Sequence, residues 1–329
     1  TPPGKWAAMY DPKKITLPPN HSALRPDLTD KRQSTGGRGG GRGGRGRGGD
    51  ASPVDRAKQQ YAAYYGLISH LDHHIGRVLD TLEKTGQADN TIVLFATDHG
   101  MAMNSHGQSG KHNAYEHTSR VQIFASGAGV PKGSSDALVY LYDIYPTLCG
   151  LTGLPIPDEV EGKSLLGVIH GKQAKVRNHL FTAYMDDQRA IRNERYKLIQ
   201  NLQPGEVDPG YEFTVKRFFG QQVLAALPKA PNPVQAASAL MKRPPKYQLY
   251  DLKEDPYEFV NLAEDPDHRQ VLDELSAELT RWRRDTRDPL LNHENVTRLK
   301  AEIDGIRQGN DFNKAKIGQW KYPDYFFKR

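Results

Sequence analysis

The chain has 329 residues, 37% hydrophobic and 26% charged, enough to bury the core of one large α/β domain or two ordinary ones. No apolar run approaches the roughly 18 residues of a membrane span, and a single cysteine, Cys149, excludes an intrachain disulfide framework and a Cys-based zinc cluster. The net charge is +6, but setting aside Arg38, Arg42, Arg45 and Arg47, which share one glycine tract, leaves 41 basic against 39 acidic residues, so charge makes no general case for nucleic acid.

In chain order, residues 1–33 are proline-rich and predict a loop that hugs the surface. Thr1-Pro2-Pro3-Gly4 shows neither the basic nor the apolar region of a signal peptide, so the chain reads as entered mid-domain. Residues 34–50, STGGRGGGRGGRGRGGD, carry no apolar side chain to offset the entropy of ordering them, which predicts a disordered insertion. An RNA-binding role is the other reading of such a tract, but it holds no aromatic residue to stack on a base. A long helix is expected next. Ser52 caps it, Pro53 suits its first turn and Asp55 completes an S-x-x-D start. Tyr61, Tyr64, Ile68, Leu71, Ile75, Val78, Leu79 and Leu82 recur with a 3.6-residue period, and Gly86 is a stop. Its histidines, His70, His73 and His74, are not arranged as a metal site with any nearby carboxylate pair and read as helix-surface or satisfied half-buried residues.

Thr91 to Thr97 is a short apolar, β-branched run that suits a strand buried on both faces of a parallel sheet. Val121 to Ala125 predicts a second strand and Leu141 to about Leu151 a helix. Helix, strand, loop, strand and helix in succession argue for an α/β fold with a doubly wound mixed or parallel sheet. The pattern changes after about Gly171. Phe181 to Tyr184, Ala190 to Arg192, Tyr196 to Ile199 and Tyr247 to Leu252 predict short strands, and a helix opens at Asp265-Pro266 with Val271, Leu272, Leu275, Leu279 and Trp282 as its stripe. The expected organisation is an α/β domain over 1–175 and a small α+β subdomain, antiparallel sheet plus helix, over 176–329. Residues 203–245 carry no usable signal.

The chemistry concentrates in 91–120. Asp98-His99-Gly100 leaves the C-terminal end of a strand, where ligands sit in open α/β sheets. A carboxylate and an imidazole there can turn toward one cation. His99, His106, His112 and His117, four of the twelve histidines, fall in this window together with Lys111, Glu116 and Arg120.

The order Thr97-Asp98-His99-Gly100, Ser105-His106-Gly107, Gly110-Lys111, Tyr115-Glu116-His117, Arg120 resembles the sulfatase family of the alkaline-phosphatase-like superfamily. The resemblance continues through Asp143-Ile144-Tyr145-Pro146-Thr147-Leu148 and Gly153-Leu154-Pro155. It returns at Leu249-Tyr250-Asp251-Leu252, Asp255-Pro256, Glu258 and Asn261-Leu262-Ala263. It implies hydrolysis of sulfate esters with a divalent cation, calcium in most of the family. Asp98 and His99 match its metal ligands and Lys111 the lysine that touches the sulfate. His106 and His112 are expected to line the pocket mouth, and Glu116 and Arg120 to brace the loop by ion pairing. The substrate it implies is a sulfated small molecule or carbohydrate, and the family habit is export to the periplasm or outside the cell. A phosphodiesterase or phosphonate hydrolase of the same superfamily, or an inactive ligand-binding remnant, are the alternatives.

The departures are as specific. The family's nucleophile is a formylglycine made from the Cys or Ser of C-x-P-S-R, and no such motif occurs in this sequence. Cys149, in Leu148-Cys149-Gly150, reads as a small buried hydrophobe. The family's first pair of acidic ligands and its leaving-group histidine have no match either. The expectation is a C-terminal portion of a sulfatase, inactive as this chain alone and weak in binding the ion.

Overall fold

Capping begins the long helix as expected. In a computed structural model that describes residues 2–21, 52–103, 105–106, 110–184, 188–207, 239–240, 242–309 and 320–326, the Asp55 N–H donates to Ser52 Oγ at 3.1 Å. The Ser52 N–H donates back to the Asp55 carboxylate at 3.3 Å. This reciprocal box opens α1, Pro53–Lys84. Gly86, at φ 69°, carries the chain out of it through the left-handed region. The insertion expected over 34–50 lies outside the described residues, as does most of 203–245.

The first turns of α1 bury Ala57, Tyr61 and Ala62 against Ile15 and Leu17 of the proline-rich segment. Further along, the apolar stripe faces outward: Ile68 is 49%, Leu71 54% and Val78 68% exposed. No helix of the described residues is long and apolar enough to cross a membrane.

β1, Ile92–Ala96, pairs antiparallel with β2, Ile123–Gly127, with Leu94 opposite Ala125. This corrects the expectation of a parallel, doubly buried strand; Phe95 and Phe124 are 37% and 60% exposed. The apolar run records the type of strand but not the direction of its neighbour, which the connection decides. A parallel partner needs a crossover of a dozen or more residues, usually helical. The connection here is a loop in which the described residues form one helix, α2, Glu116–Ser119, a single turn long. Among the described residues every strand pairing is antiparallel.

A 3-10 turn at Leu141–Asp143 leads into α3, Ile144–Thr152, which Gly153 ends at φ 73°. Asp143, fully buried, accepts two bonds from the Arg177 guanidinium, at 2.5 and 2.7 Å. It also accepts from the N–H groups of Tyr140 and Lys163. Four donors on one carboxylate satisfy a charge that burial would otherwise make costly. They tie α3 to the segment around α4, Leu166–Ile169. Cys149 is buried in α3.

The C-terminal sheet has the order β3-β4-β5-β6: Leu180–Tyr184, Gln188–Arg192, Tyr196–Asn201 and Tyr247–Asp251. Alternation divides its two faces. Ile191, Leu198 and Leu249 pack under Leu272, Leu275 and Leu279 of α5, Arg269–Asp285. Ala190, Ile199 and Tyr250 pack on Ala114 and Tyr115 of the loop that follows β1. Residues on both sides of position 175 therefore share one core. Two further helices, α6 at His293–Gly309 and α7 at Tyr322–Phe326, were not anticipated. They close a smaller cluster around Leu290, Val296, Leu299 and Ile303.

Candidate active site

Two backbone bonds shape the loop after β1. The Gly100 N–H donates to the Thr118 carbonyl at 2.8 Å, and the Ala102 N–H to the Gly110 carbonyl at 2.8 Å. A Cβ on Gly100 would strike the His117 carbonyl, so this close approach requires glycine. The folded loop brings Lys111 back over His99. His99 Nε2 lies 3.2 Å from Asp98 Oδ2 and in hydrogen-bond contact with Lys111 Nζ.

The tautomer follows from the partners. His99 Nδ1 sits 2.9 Å from the Gly100 carbonyl, which can only accept, so Nδ1 carries the proton. Nε2 then turns its lone pair toward the Asp98 carboxylate and the Lys111 ammonium. Two electron-rich atoms facing each other favour a cation beside them, and the Lys111 ammonium sits on the Nε2 side of the pair. Asp98 is 79% exposed, His99 31%. Calcium takes six to eight oxygen-rich ligands. The pair offers two donors, and among the described residues no group of three or more His, Cys, Asp or Glu converges on one point. These residues do not by themselves form a calcium shell.

His106 and His112 are placed differently. His106 is buried, its ring stacked on Tyr115 with centroids 5.0 Å apart and Nε2 2.7 Å from the Tyr257 carbonyl. These contacts belong to the junction of the loop with the C-terminal sheet. His112 is exposed and tilts toward Tyr184, with centroids 6.4 Å apart.

What holds the loop is a buried cluster of charge. The Glu116 carboxylate accepts from Arg192 at 2.6 Å and from Lys197 Nζ at 3.1 Å. Lys197 also pairs with Glu258 at 3.1 Å, and Glu258 accepts the Glu116 N–H at 2.8 Å. Burial alone would raise the Glu116 carboxyl, but the Lys197 and Arg192 cations outweigh it and hold it below its ordinary range. Burial prevails at Glu258, whose carboxyl is raised although Lys197 opposes the shift. Gln188 Oε1 accepts the Ala114 N–H at 3.1 Å, and Gln248 donates to the Tyr115 hydroxyl at 2.9 Å. Burial lowers His117 to about 3, with the charges of His106 and Lys197 adding to it.

The bracing by Glu116 was legible in the sequence; its partners Lys197, Arg192 and Glu258 were not. A signal existed for two of them. Arg192 and Lys197 share strand parity with Ala190 and Ile199, which face the loop, so period-two alternation already turned both cations inward.

The sequence pattern of the family described as Sulfatase matches residues 15–154, the whole of this loop included. That described as "N-sulphoglucosamine sulphohydrolase, C-terminal" matches 105–212. An arylsulfatase of Clostridium perfringens is 30% identical over 226 residues, 66% of this chain and 39% of that protein. The chain belongs to the sulfatase family. Among solved structures, a 2-O GAG sulfatase aligns at 25% identity and a TM-score of 0.54, over 71% of this chain and 45% of that one. A phosphonate monoester hydrolase from Silicibacter pomeroyi shares the fold, with a TM-score of 0.57 at 22% identity over 86% of this chain and 53% of its own. The chain spans less than half the length of the first curated sulfatases it matches. Membership suggests a divalent metal.

Proposed function

We propose that this chain contributes Asp98, His99 and Lys111 to a site that hydrolyses sulfate esters, with a sulfated carbohydrate or small molecule as substrate. One observation carries the reading: a carboxylate, a ring nitrogen with its lone pair presented and an ammonium meet at the C-terminal end of β1. The segment that brings them together is the one that matches the family.

Lys111 is the residue with an electrostatic role toward substrate. A sulfate ester spreads negative charge over its peripheral oxygens, and charge grows on the leaving oxygen as its bond to sulfur breaks. A fixed ammonium is worth more against that charge than water, because it needs no reorganisation when the charge develops. The Glu116–Lys197–Glu258 cluster holds the loop and so fixes where Lys111 starts from. The metal is proposed to be calcium, with Asp98 and His99 as two of its ligands. The family's nucleophile, formylglycine, is assigned to no residue of this sequence. His106 acts through packing on Tyr115; His112, on the exposed side of the loop, is the better placed of the two histidines to meet substrate. Export to the periplasm or outside the cell goes with this reading and is tested by cell fractionation.

The test is turnover of an aryl sulfate and an aryl phosphonate, side by side, by protein purified from its native source. Calorimetric titration of a sulfated monosaccharide into the 329-residue chain accompanies it. Sulfate turnover above phosphonate turnover, lowered roughly 100-fold or more in Lys111→Met, is the expected result. Monosaccharide binding weakened in the same variant is expected with it. Preferential phosphonate hydrolysis would favour the other chemistry of this fold, and full activity in Lys111→Met would remove the residue from the site.

A further inference from the structure

We propose that His70 and His74 form a binding site for a borderline divalent transition metal, of the class of zinc, nickel and copper, on the surface of α1. The site shares no residue with Asp98, His99 and Lys111. One helical turn separates the two histidines, so both rings leave the same face of the helix. The structure goes further than spacing: the two Nε2 atoms lie 3.0 Å apart. Imidazole nitrogens bind such metals at about 2.0–2.1 Å, so two neighbouring donors on one ion stand about 2.9–3.4 Å apart. The pair has that bite in the absence of metal. Imidazole donors favour zinc, nickel or copper over calcium or magnesium, which prefer oxygen. Water fills the remaining positions, since His74 is exposed.

The hydrogen bonds show what the ion replaces. The Arg77 guanidinium, which can only donate, lies 3.1 Å from His74 Nδ1, so Nδ1 accepts. The His74 proton is therefore on Nε2 and is shared with His70 Nε2. A metal between the two Nε2 atoms takes that proton's place. The proton moves to Nδ1, and the exposed Arg77 side chain swings away. Arg77 thus opposes the metal, both by its hydrogen bond and by its charge.

Trp6 provides the reporter. Its ring centroid is 5.8 Å from that of His70 and 5.4 Å from that of His73. Copper(II) bound at the pair is expected to quench Trp6 fluorescence in a saturable titration of the full chain. Zinc in large excess should reverse the quenching, because copper(II) binds imidazole more tightly, and calcium at the same concentration should not. His70→Gln and His74→Gln should each weaken the apparent affinity about tenfold or more. Arg77→Gln should tighten it about two- to fivefold, the scale of an exposed charge interaction. That gain cannot come from a misfolded variant. Trp6→Phe should remove the signal. Quenching that survives both histidine substitutions or Trp6→Phe, that calcium reverses as well as zinc, or that Arg77→Gln leaves unchanged or weakens, overturns the proposal.

Discussion

The four-stranded C-terminal sheet and the β1–β2 ribbon are made of similar residues, yet they are buried to different degrees. Leu198 and Leu249 are fully buried, while Phe95 and Phe124 face out. The sheet is covered twice, by α5 on one face and by Ala114 and Tyr115 on the other. The ribbon has two strands, and beyond its first turns α1 turns its apolar stripe to solvent. An apolar pattern is thus a statement about what a strand can bury. Whether it does so depends on the layers packed against it, and covering both faces is what makes the C-terminal sheet a platform for the loop that carries Asp98, His99 and Lys111.

The sharpest break of this contrast is at Lys197. Its ammonium lies between Glu116 and Glu258, all three buried or nearly so. Lys197→Met leaves two buried carboxylates facing each other and is expected to cost about 3–5 kcal/mol. Urea unfolding monitored by the fluorescence of Trp282, whose ring stacks on Phe181 of β3, reads it. A loss below about 1 kcal/mol would mean that the cluster is solvated and that the loop is held by something else.

Leu198→Ala and Phe124→Ala compare the two regions directly. The first removes a fully buried side chain from between β5 and α5 and should cost about 2–5 kcal/mol. The second trims a side chain that is 60% exposed and should stay within about 0.5 kcal/mol. Equal costs in the same unfolding experiment would show the ribbon to be covered in solution.

His117 makes the junction sensitive to acid. Burial, then the neighbouring His106 and Lys197, lower its pKa to about 3, against about 6.5 for the unfolded ring. Between these values the unfolded state binds the extra proton, so stability falls as pH drops through that window. From pH 7 to 5 this one group is expected to contribute a loss of roughly 2 kcal/mol. Glu116, lowered, also loses stability on acidification, whereas the raised Glu258 works in the opposite sense. The difference between wild type and His117→Asn isolates the histidine. An unchanged pH profile in the His117→Asn variant would show that folding does not weaken the ring's hold on its proton.

Much of this was legible before any coordinates. The strands of the C-terminal sheet and α5 show in the sequence as β-branched or aromatic runs and a 3.6-residue stripe, unlike α6 and α7; Leu272, Leu275 and Leu279 spell out the buried face of α5. The gathering of Asp98, His99 and Lys111 was readable from residue order, since a short loop returning on glycines has few paths. What pattern does not carry is pairing between distant segments. The antiparallel direction of β2 depends on the connection rather than on either strand. The bite of His70 and His74 depends on ring rotation. His106 looked like a pocket residue by its place in the histidine-rich window, but its stacking on Tyr115 is decided by a sheet some 80 residues downstream.

A smaller effect than that at His117 is expected at the N-terminal end of α1, the helix whose later turns are uncovered. Where a helix lacks tertiary cover, local terms carry a larger part of its stability. The capping box of Ser52 and Asp55 is such a term. Ser52→Ala should cost about 1 kcal/mol, which at a cap buried in a core would be felt by the whole protein. Here it should appear as fraying. Amide exchange in the first turn of α1, around Arg56, should speed up about fivefold, while the amides of Leu198 and Leu249 keep their protection. The cluster of Ile15, Leu17, Ala57 and Tyr61 sets the depth to which the fraying runs, because it packs the first turns of α1. If protection in β5 fell together with that in α1, the two regions would be a single cooperative unit, and the contrast in burial would not be a contrast in stability.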